Sequence, residues 1–171
     1  LSTGIGGIKE SEEQVERMNE KGPKRIRPMA LPKALPNMAA GNIAMAVGAN
    51  GVCKCVITAC ASSNDALGDA YREIKFGYQD VMLAGGAEAA ITPFAIGGFQ
   101  ALTALSTRND DPAGASRPFS KSRDGFVMGE GAGCLVLEDL DHALARGANI
   151  LCEVVGGGLS ADAYHLTATH P

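Results

Sequence analysis

Residues 52–75 read VCKCVITACASSNDALGDAYREIK, and this stretch decides the fold class of the chain. Its first eight residues are rich in β-branched side chains and predict a strand over 52–59. After Cys60, apolar residues recur at helical spacing, which predicts a helix over 61–75. The predicted order is therefore strand, cysteine, helix.

Similar patterns predict further elements on both sides of this unit. The other predicted strands are continuously apolar runs, at residues 80–86, 133–138 and 150–155. The other predicted helices carry an apolar stripe, small side chains or a closing glycine, at residues 9–20, 37–48 and 139–146. A helical or irregular segment is expected over 97–105, and a long polar loop over 106–124. Strands that alternate with helices indicate an α/β layered fold.

The composition excludes several classes of function. The 171 residues include 15 basic and 19 acidic side chains, so the net charge of −4 gives no global reason to bind nucleic acid or an anionic membrane. No apolar run approaches the roughly 18 residues of a membrane span, and the first residues do not resemble a secretory signal. Five cysteines, an odd number, argue against a disulfide scaffold and favour a cytoplasmic protein.

Cys60 is the candidate nucleophile. At a junction from strand to helix, unpaired backbone N–H groups and the positive end of the helix dipole face the side chain, which favours the reactive thiolate. The same N–H groups can stabilise an oxyanion when an acyl group is attacked. The alternative interpretation is that Cys60 is a small buried core residue.

The other cysteines do not predict a metal site. Cys53 and Cys55 would place both sulfurs on one face of a strand, but no histidine lies near them in sequence and no second cysteine pair follows. Cys134 and Cys152 lie within apolar runs and are expected in the core.

A basic cluster directly follows the acidic helix predicted over 9–20. Its members are Lys21, Lys24, Arg25 and Arg27. Two interpretations stay open: a solvated loop that balances the acidic helix, or a docking patch for an acidic partner.

Several motifs in order along the chain point to a family. They are TACASS at 58–63, GGAEA at 85–89, ALSTRND at 104–110, SRPF at 116–119, RDGFV at 123–127, GEGAG at 129–133 and DAYH at 162–165. Together they resemble the β-ketoacyl-acyl carrier protein synthases, specifically the elongating type II enzymes of bacterial fatty-acid synthesis. The resemblance extends essentially from end to end.

The resemblance implies a thiolase-like layered α/β fold, with a mixed sheet flanked by helices, that is incomplete here. Residues 1–149 correspond to the nucleophile-bearing part of the N-terminal half, and residues 150–171 to the start of the C-terminal half. The implied reaction loads an acyl chain onto Cys60 as a thioester, decarboxylates malonyl carrier protein and joins the two. No bound cofactor is implied, because phosphopantetheine arrives on the acyl carrier protein.

The resemblance also implies roles for other residues. Ile5 and Phe99 match positions that border the acyl channel, and Thr167 matches one that contacts the phosphopantetheine arm. Leu31 matches a position that reaches the neighbouring subunit's acyl pocket in a homodimer. The basic cluster becomes a docking site for the acidic carrier protein.

Two departures and a gap qualify the expected activity. Ser120 replaces the aspartate that commonly follows the Arg-Pro-aromatic run, and Ala168 stands where a serine is frequent. The family's catalytic histidines and lysine match positions beyond residue 171, so this chain alone is expected to be inactive. Two alternatives remain: a non-catalytic acyl-binding or dimerisation subunit of the same fold, and a cysteine thioester hydrolase.

Overall fold

The computed structural model describes residues 1–168 and 170–171. This part of the chain contains six helices and a two-stranded sheet. The helices are α1 (Ile8–Lys21), α2 (Ala30–Ala34), α3 (Met38–Val47), α4 (Ser62–Lys75), α5 (Pro93–Ala101) and α6 (Leu140–Ala145). The strands are β1 (Val81–Glu88) and β2 (Gly131–Glu138). Short 3-10 turns cover Pro23–Arg25, Ala59–Ala61 and Pro112–Gly114.

The described sheet is antiparallel and has two strands, so the mixed sheet expected from the resemblance is not formed by the described residues. β1 and β2 pair antiparallel, with Val81 opposite Glu138 and Glu88 opposite Gly131. Ser2 adds isolated parallel bridges to Val56 on one side and to Gly86 in β1 on the other. The amino-terminal residues therefore lie between the segment that leads to Cys60 and β1.

The core lies between α4 and the sheet. Ala70 of α4 is buried with Ala84 of β1 and Leu137 of β2, and the small alanine side chains allow the helix to approach the strands closely. Larger side chains pack around this centre: Leu67, Tyr71, Ile74 and Met82.

Local signals place the helix ends. α1 ends at Gly22, whose φ of 84° suits glycine, and α3 ends at Gly48 in the left-handed conformation. The helices predicted over 9–20, 37–48, 61–75 and 139–146 are therefore confirmed within one or two residues. The segment expected to be helical or irregular over 97–105 is helical only to Ala101, and its helix begins earlier, at Pro93, where the Thr92 side chain accepts a hydrogen bond from the Ala95 N–H.

Two predicted strands are wrong. Residues 52–59 form no regular strand, since only Val56 makes a bridge, and Val56 pairs with Ser2 alone. Residues 150–155 form no strand in the described structure; the Tyr71 hydroxyl donates to the Val155 carbonyl at 3.2 Å instead. An apolar run becomes a strand only where another strand offers hydrogen-bonding groups, and among the described residues neither run has such a neighbour along its length. None of the described helices combines the length and the apolar character needed to cross a bilayer.

Candidate functional site

Cys60 lies in the 3-10 turn Ala59–Ala61, which leads directly into α4. Its side chain is exposed, so the alternative of a buried core cysteine is wrong in this structure. Ala59 holds a φ of 50°, a conformation that residues with a Cβ adopt rarely and that usually has a local reason. This sharp turn presents the sulfur at the start of α4, where the positive end of the helix dipole lies.

The turn is held by hydrogen bonds to the first residue of α4. The Ser62 hydroxyl accepts from the Thr58 N–H at 2.8 Å and donates to the Ala59 carbonyl at 2.6 Å. The Thr58 hydroxyl donates to the Asp65 carboxylate, one helical turn further on. The chain therefore enters and leaves the Cys60 turn through fixed hydrogen bonds.

A second group of hydroxyls joins α4 to β1 beneath the turn. Ser2 is 1% exposed, and its hydroxyl donates to the Gly85 carbonyl at 2.9 Å while lying 3.1 Å from the Ser63 hydroxyl. A Cβ at Gly86 would overlap both hydroxyl oxygens. β1 therefore needs glycine at this position to approach α4.

Glu88, at the end of β1, holds the amino-terminal loop against the Cys60 turn. Its carboxylate accepts from the backbone N–H groups of Gly4 (2.6 Å) and Ile5 (3.2 Å) and from the Thr3 hydroxyl (3.1 Å). A Cβ at Gly4 would lie 3.9 Å from the Ala59 carbonyl oxygen. Hydrogen bonds to Glu88 thus hold Ile5, one of the predicted channel residues, in the loop whose Gly4 approaches the Cys60 turn.

The other three predicted substrate-binding residues lie on separate elements. Phe99 of α5 packs edge-to-face on Phe126, with ring centroids 5.1 Å apart. Leu31 of α2 is 74% exposed. Thr167 lies in the irregular, bent terminal segment, where its N–H donates to His165 Nδ1 at 3.1 Å.

A groove of about 850 Å³ opens beside the amino-terminal loop, between α2, α3 and the paired ends of β1 and β2. Leu35, Met38 and Ala87 contribute apolar surface to it, and Glu88 lies at its wall. This volume falls in the range of small-ligand sites. Cys60 does not line the groove, but Glu88 and Thr3 join the groove to the loop that contacts the Cys60 turn.

The basic cluster divides into two parts. Arg27 lies 3.4 Å from Glu13 and 4.0 Å from Glu10 of α1, and its backbone N–H donates to Gln14 Oε1 at 2.9 Å. Arg27 therefore balances the acidic helix, as the first interpretation predicts. The other three members are exposed and make no ion pair among the described residues: Lys21, Lys24 and Arg25.

Lys54 was not predicted as a functional residue. It ties the segment before Cys60 to α4, through ion pairs with Asp69 (3.1 Å) and Glu73 (3.4 Å). The hydrogen bond with Asp69 raises the pKa of Lys54, although desolvation opposes the rise. Partial burial raises the pKa of Asp69, but hydrogen bonds from Arg72 and Lys54 outweigh it and hold that pKa below its usual range. The signal in the sequence was a lone lysine within an apolar run.

The cysteines and acidic residues of the described chain form no group of three or more that could hold a metal ion. All five cysteines are free thiols. Cys134 and Cys152, expected in the core, are exposed instead. Cys134 lies on β2, which has β1 on one side only, and Cys152 lies in a run that joins no sheet in the described structure.

Known proteins resemble this chain over most or all of its length. The family model for "Beta-ketoacyl synthase, N-terminal domain" matches residues 1–143. The chain is 53% identical, over its whole length, to 3-oxoacyl-acyl-carrier-protein synthase 2 of Synechocystis sp., of which it covers 41%. It spans about two fifths of the length of the curated relatives that it matches.

Two solved structures are similar throughout most of the chain. One is a β-ketoacyl synthase from Burkholderia phymatum, with a TM-score of 0.86 and 40% identity over 97% of this chain and 41% of that one. The other is a type II PKS acyl-carrier protein in complex with its ketosynthase bound to the hexaketide, with a TM-score of 0.83 and 38% identity over 86% of this chain and 38% of that one. These likenesses confirm the predicted thiolase-like layered α/β fold, incomplete in this chain.

Proposed function

Because the chain belongs to the β-ketoacyl synthase family, we propose that it is the nucleophile-bearing part of an elongating 3-oxoacyl-acyl carrier protein synthase. The observation that carries this proposal is the position of Cys60, exposed in a held turn at the start of α4. A thiol there is open to an acyl donor and lies at the positive end of a helix dipole.

The proposed reaction has two stages. First, the Cys60 sulfur forms a bond to the acyl carbon, the bond to the carrier's phosphopantetheine sulfur breaks, and that sulfur leaves with the electron pair and takes up a proton. Next, malonyl carrier protein loses carbon dioxide, and the resulting carbanion forms a carbon–carbon bond to the same acyl carbon. The Cys60 sulfur leaves, and the product is a β-ketoacyl carrier protein two carbons longer.

The proposed partners are acyl carrier protein and a second copy of the protein. Lys21, Lys24 and Arg25 would dock the acidic carrier, since exposed cations that have no ion pair within the described chain remain free to steer it. A solved relative in complex with an acyl-carrier protein supports this partner class. In the proposed homodimer, Leu31 reaches the neighbouring subunit's acyl pocket. A cytoplasmic location is part of the proposal.

Three residues complete the proposed substrate site. Ile5 and Phe99 border the acyl channel, and Thr167 contacts the phosphopantetheine arm that the carrier delivers; no resident cofactor is required. Residues 1–149 belong to the N-terminal half of the catalytic domain and residues 150–171 begin its C-terminal half. The isolated chain is expected not to elongate an acyl group, because the family's catalytic histidines and lysine match positions beyond residue 171.

Product analysis tests the proposal. The full-length protein that carries this chain is incubated with acyl carrier protein loaded with a fatty acyl group, and malonyl carrier protein is then added. A synthase converts the loaded protein to β-ketoacyl carrier protein. Release of free fatty acid would identify a thioester hydrolase, and binding without any covalent product would identify an acyl-binding subunit.

A further inference from the structure

We infer that Ser62 is a positioning residue for Cys60: its hydroxyl holds the peptide group between Ala59 and Cys60 so that the Cys60 N–H points to the oxyanion formed during acyl transfer. The inference rests on the proposed function, because it concerns the acylation of Cys60. The observation that carries it is the pair of hydrogen bonds that this one hydroxyl makes across the turn.

Both capacities of the Ser62 hydroxyl are used within the turn. Its single hydrogen goes to the Ala59 carbonyl oxygen at 2.6 Å, and its oxygen accepts the Thr58 N–H at 2.8 Å. The side chain is 3% exposed, so these bonds are shielded from water on the side of α4. Ser62 is also the first residue of α4, which anchors the hydroxyl to a regular element.

The Ala59 carbonyl and the Cys60 N–H belong to one planar peptide group. In a trans peptide the oxygen and the hydrogen point in opposite directions, so a bond that fixes the oxygen also fixes the direction of the N–H. Within the described residues, the Cys60 N–H donates to no acceptor. It is therefore available to a ligand oxygen near the sulfur, and the hydrogen bond at the carbonyl polarises it further.

The turn needs such a restraint because Ala59 is in the left-handed region, at a φ of 50°. A residue with a Cβ leaves this conformation unless the surrounding structure holds it. If the hydroxyl is removed, water can satisfy Thr58 and Ala59, which are exposed, but a water molecule is not tethered to α4. The loss should therefore affect the direction of the Cys60 N–H more than it affects folding.

The test compares two reactions at the same sulfur in the full-length protein. Acyl transfer from acyl carrier protein passes through an oxyanion, whereas alkylation by iodoacetamide forms a carbon–sulfur bond and expels iodide without one. Removing an oxyanion donor outright slows catalysis by roughly 10²–10³-fold. Misdirecting one should cost less, so Ser62→Ala is expected to slow acyl transfer about tenfold and to change alkylation of the Cys60 peptide less than twofold.

Two comparisons separate positioning from folding. Ser63→Ala removes a hydroxyl from the next residue, which bonds Ser2 and not the Cys60 turn, so it should leave the ratio of the two rates unchanged. Ser62→Thr keeps a hydroxyl and should retain most acyl transfer. Ser62→Val introduces a side chain of the same shape as threonine but without a hydroxyl, and it should lose most acyl transfer. The Thr and Val pair decides the question if Ser62→Ala fails to fold.

Equal slowing of acyl transfer and alkylation in Ser62→Ala, or no slowing of either, would overturn the inference while leaving the proposed function intact. Equal rates in Ser62→Thr and Ser62→Val would overturn it as well. If the wild-type protein takes no acyl group at all, the proposed function fails, and the role assigned to Ser62 fails with it.

Discussion

At the scale of single residues, chemistry is concentrated in one sulfur and the few atoms that surround it. Cys60 is exposed, Ser62 beside it is buried, and Ala59 before it is held in an unusual backbone conformation. A buried hydroxyl and a constrained backbone thus support a thiol that faces outward. Substitutions at these residues should separate reactivity from folding.

Cys60→Ser in the full-length protein is expected to abolish acyl transfer and to leave the fold intact. A serine hydroxyl fits the same space, but at neutral pH it is a far weaker nucleophile than a cysteine thiol, which is partly ionised. Intact mass after incubation with acyl carrier protein measures the transfer, and circular dichroism measures the fold. Continued transfer by Cys60→Ala would show that another residue is the nucleophile.

Gly86→Ala is expected to lower the free energy of unfolding by about 1–3 kcal/mol, because the added methyl overlaps the hydroxyls of Ser2 and Ser63. The matched control is Gly133→Ala, since Gly133 pairs with Gly86 across the sheet and its Cβ would meet no atom of the described chain within 4 Å. Urea unfolding of the two full-length variants makes the comparison. Equal destabilisation would contradict the proposed packing of β1 on α4.

At the scale of elements, charged pairs join pieces that are distant in sequence. The carboxylate of Glu138, at the end of β2, accepts two hydrogen bonds from the Arg146 guanidinium, at 2.7 and 2.6 Å. His142 Nδ1 lies 2.5 Å from the same carboxylate. The hydrogen bonds from Arg146, and to a smaller extent the hydrogen bond with His142, lower the pKa of Glu138 to about 2. This cluster fixes β2 to the end of α6.

The lowered pKa of Glu138 predicts a specific acid sensitivity. A carboxyl whose pKa is lower in the folded state stabilises the protein above its unfolded value, and that contribution falls as the pH drops from about 4.5 towards about 2. Glu138→Gln should therefore reduce stability at pH 7 and lose less stability than the wild type between pH 5 and pH 2. Urea unfolding across that range gives the comparison, and parallel curves would contradict it.

Helices could be predicted from the sequence because their signals are local. Gly22 and Gly48 end two helices, and the apolar spacing after Cys60 marks a third. Strands depend on a neighbour that the sequence does not reveal. The apolar runs at 52–59 and 150–155 therefore predict strands, although they have no continuous partner in the described structure.

The candidate site, like the helices, could be predicted only where its pattern in the sequence is local. Cys60 follows from its place between an apolar run and a helix, which is a local pattern. Ser62 and Lys54 could not be recognised, because their roles depend on hydrogen bonds and ion pairs that appear only when the turn is closed. The resemblance names Ile5, whereas Glu88, whose carboxylate accepts the Ile5 N–H, is part of the motif GGAEA but has no predicted role.

At the scale of the whole molecule, the net charge is −4, yet three exposed members of the basic cluster make no ion pair in the described chain. Replacing Lys21, Lys24 and Arg25 together by glutamate is expected to raise the KM for acyl carrier protein about tenfold or more at low salt, with little change in kcat. The effect should shrink as salt screens the charges. Steady-state kinetics of the full-length protein at two salt concentrations measure both trends.

Arg27→Gln serves as the matched control for these three cations, because Arg27 is already paired with Glu13 and Glu10 of α1. It should raise the KM less than any single change among the other three cations. An equal or larger effect of Arg27→Gln would contradict the proposal that only the three cations without an ion pair in the described chain dock the carrier.

The central claim is that Cys60 carries the acyl chain. The most direct measurement incubates the full-length protein with acyl carrier protein, digests it and locates the adduct by mass spectrometry. The predicted result is one acyl group on the Cys60 sulfur, which malonyl carrier protein then discharges as a product two carbons longer. An adduct on Cys53, Cys55, Cys134 or Cys152, or no adduct on any cysteine, would contradict the claim.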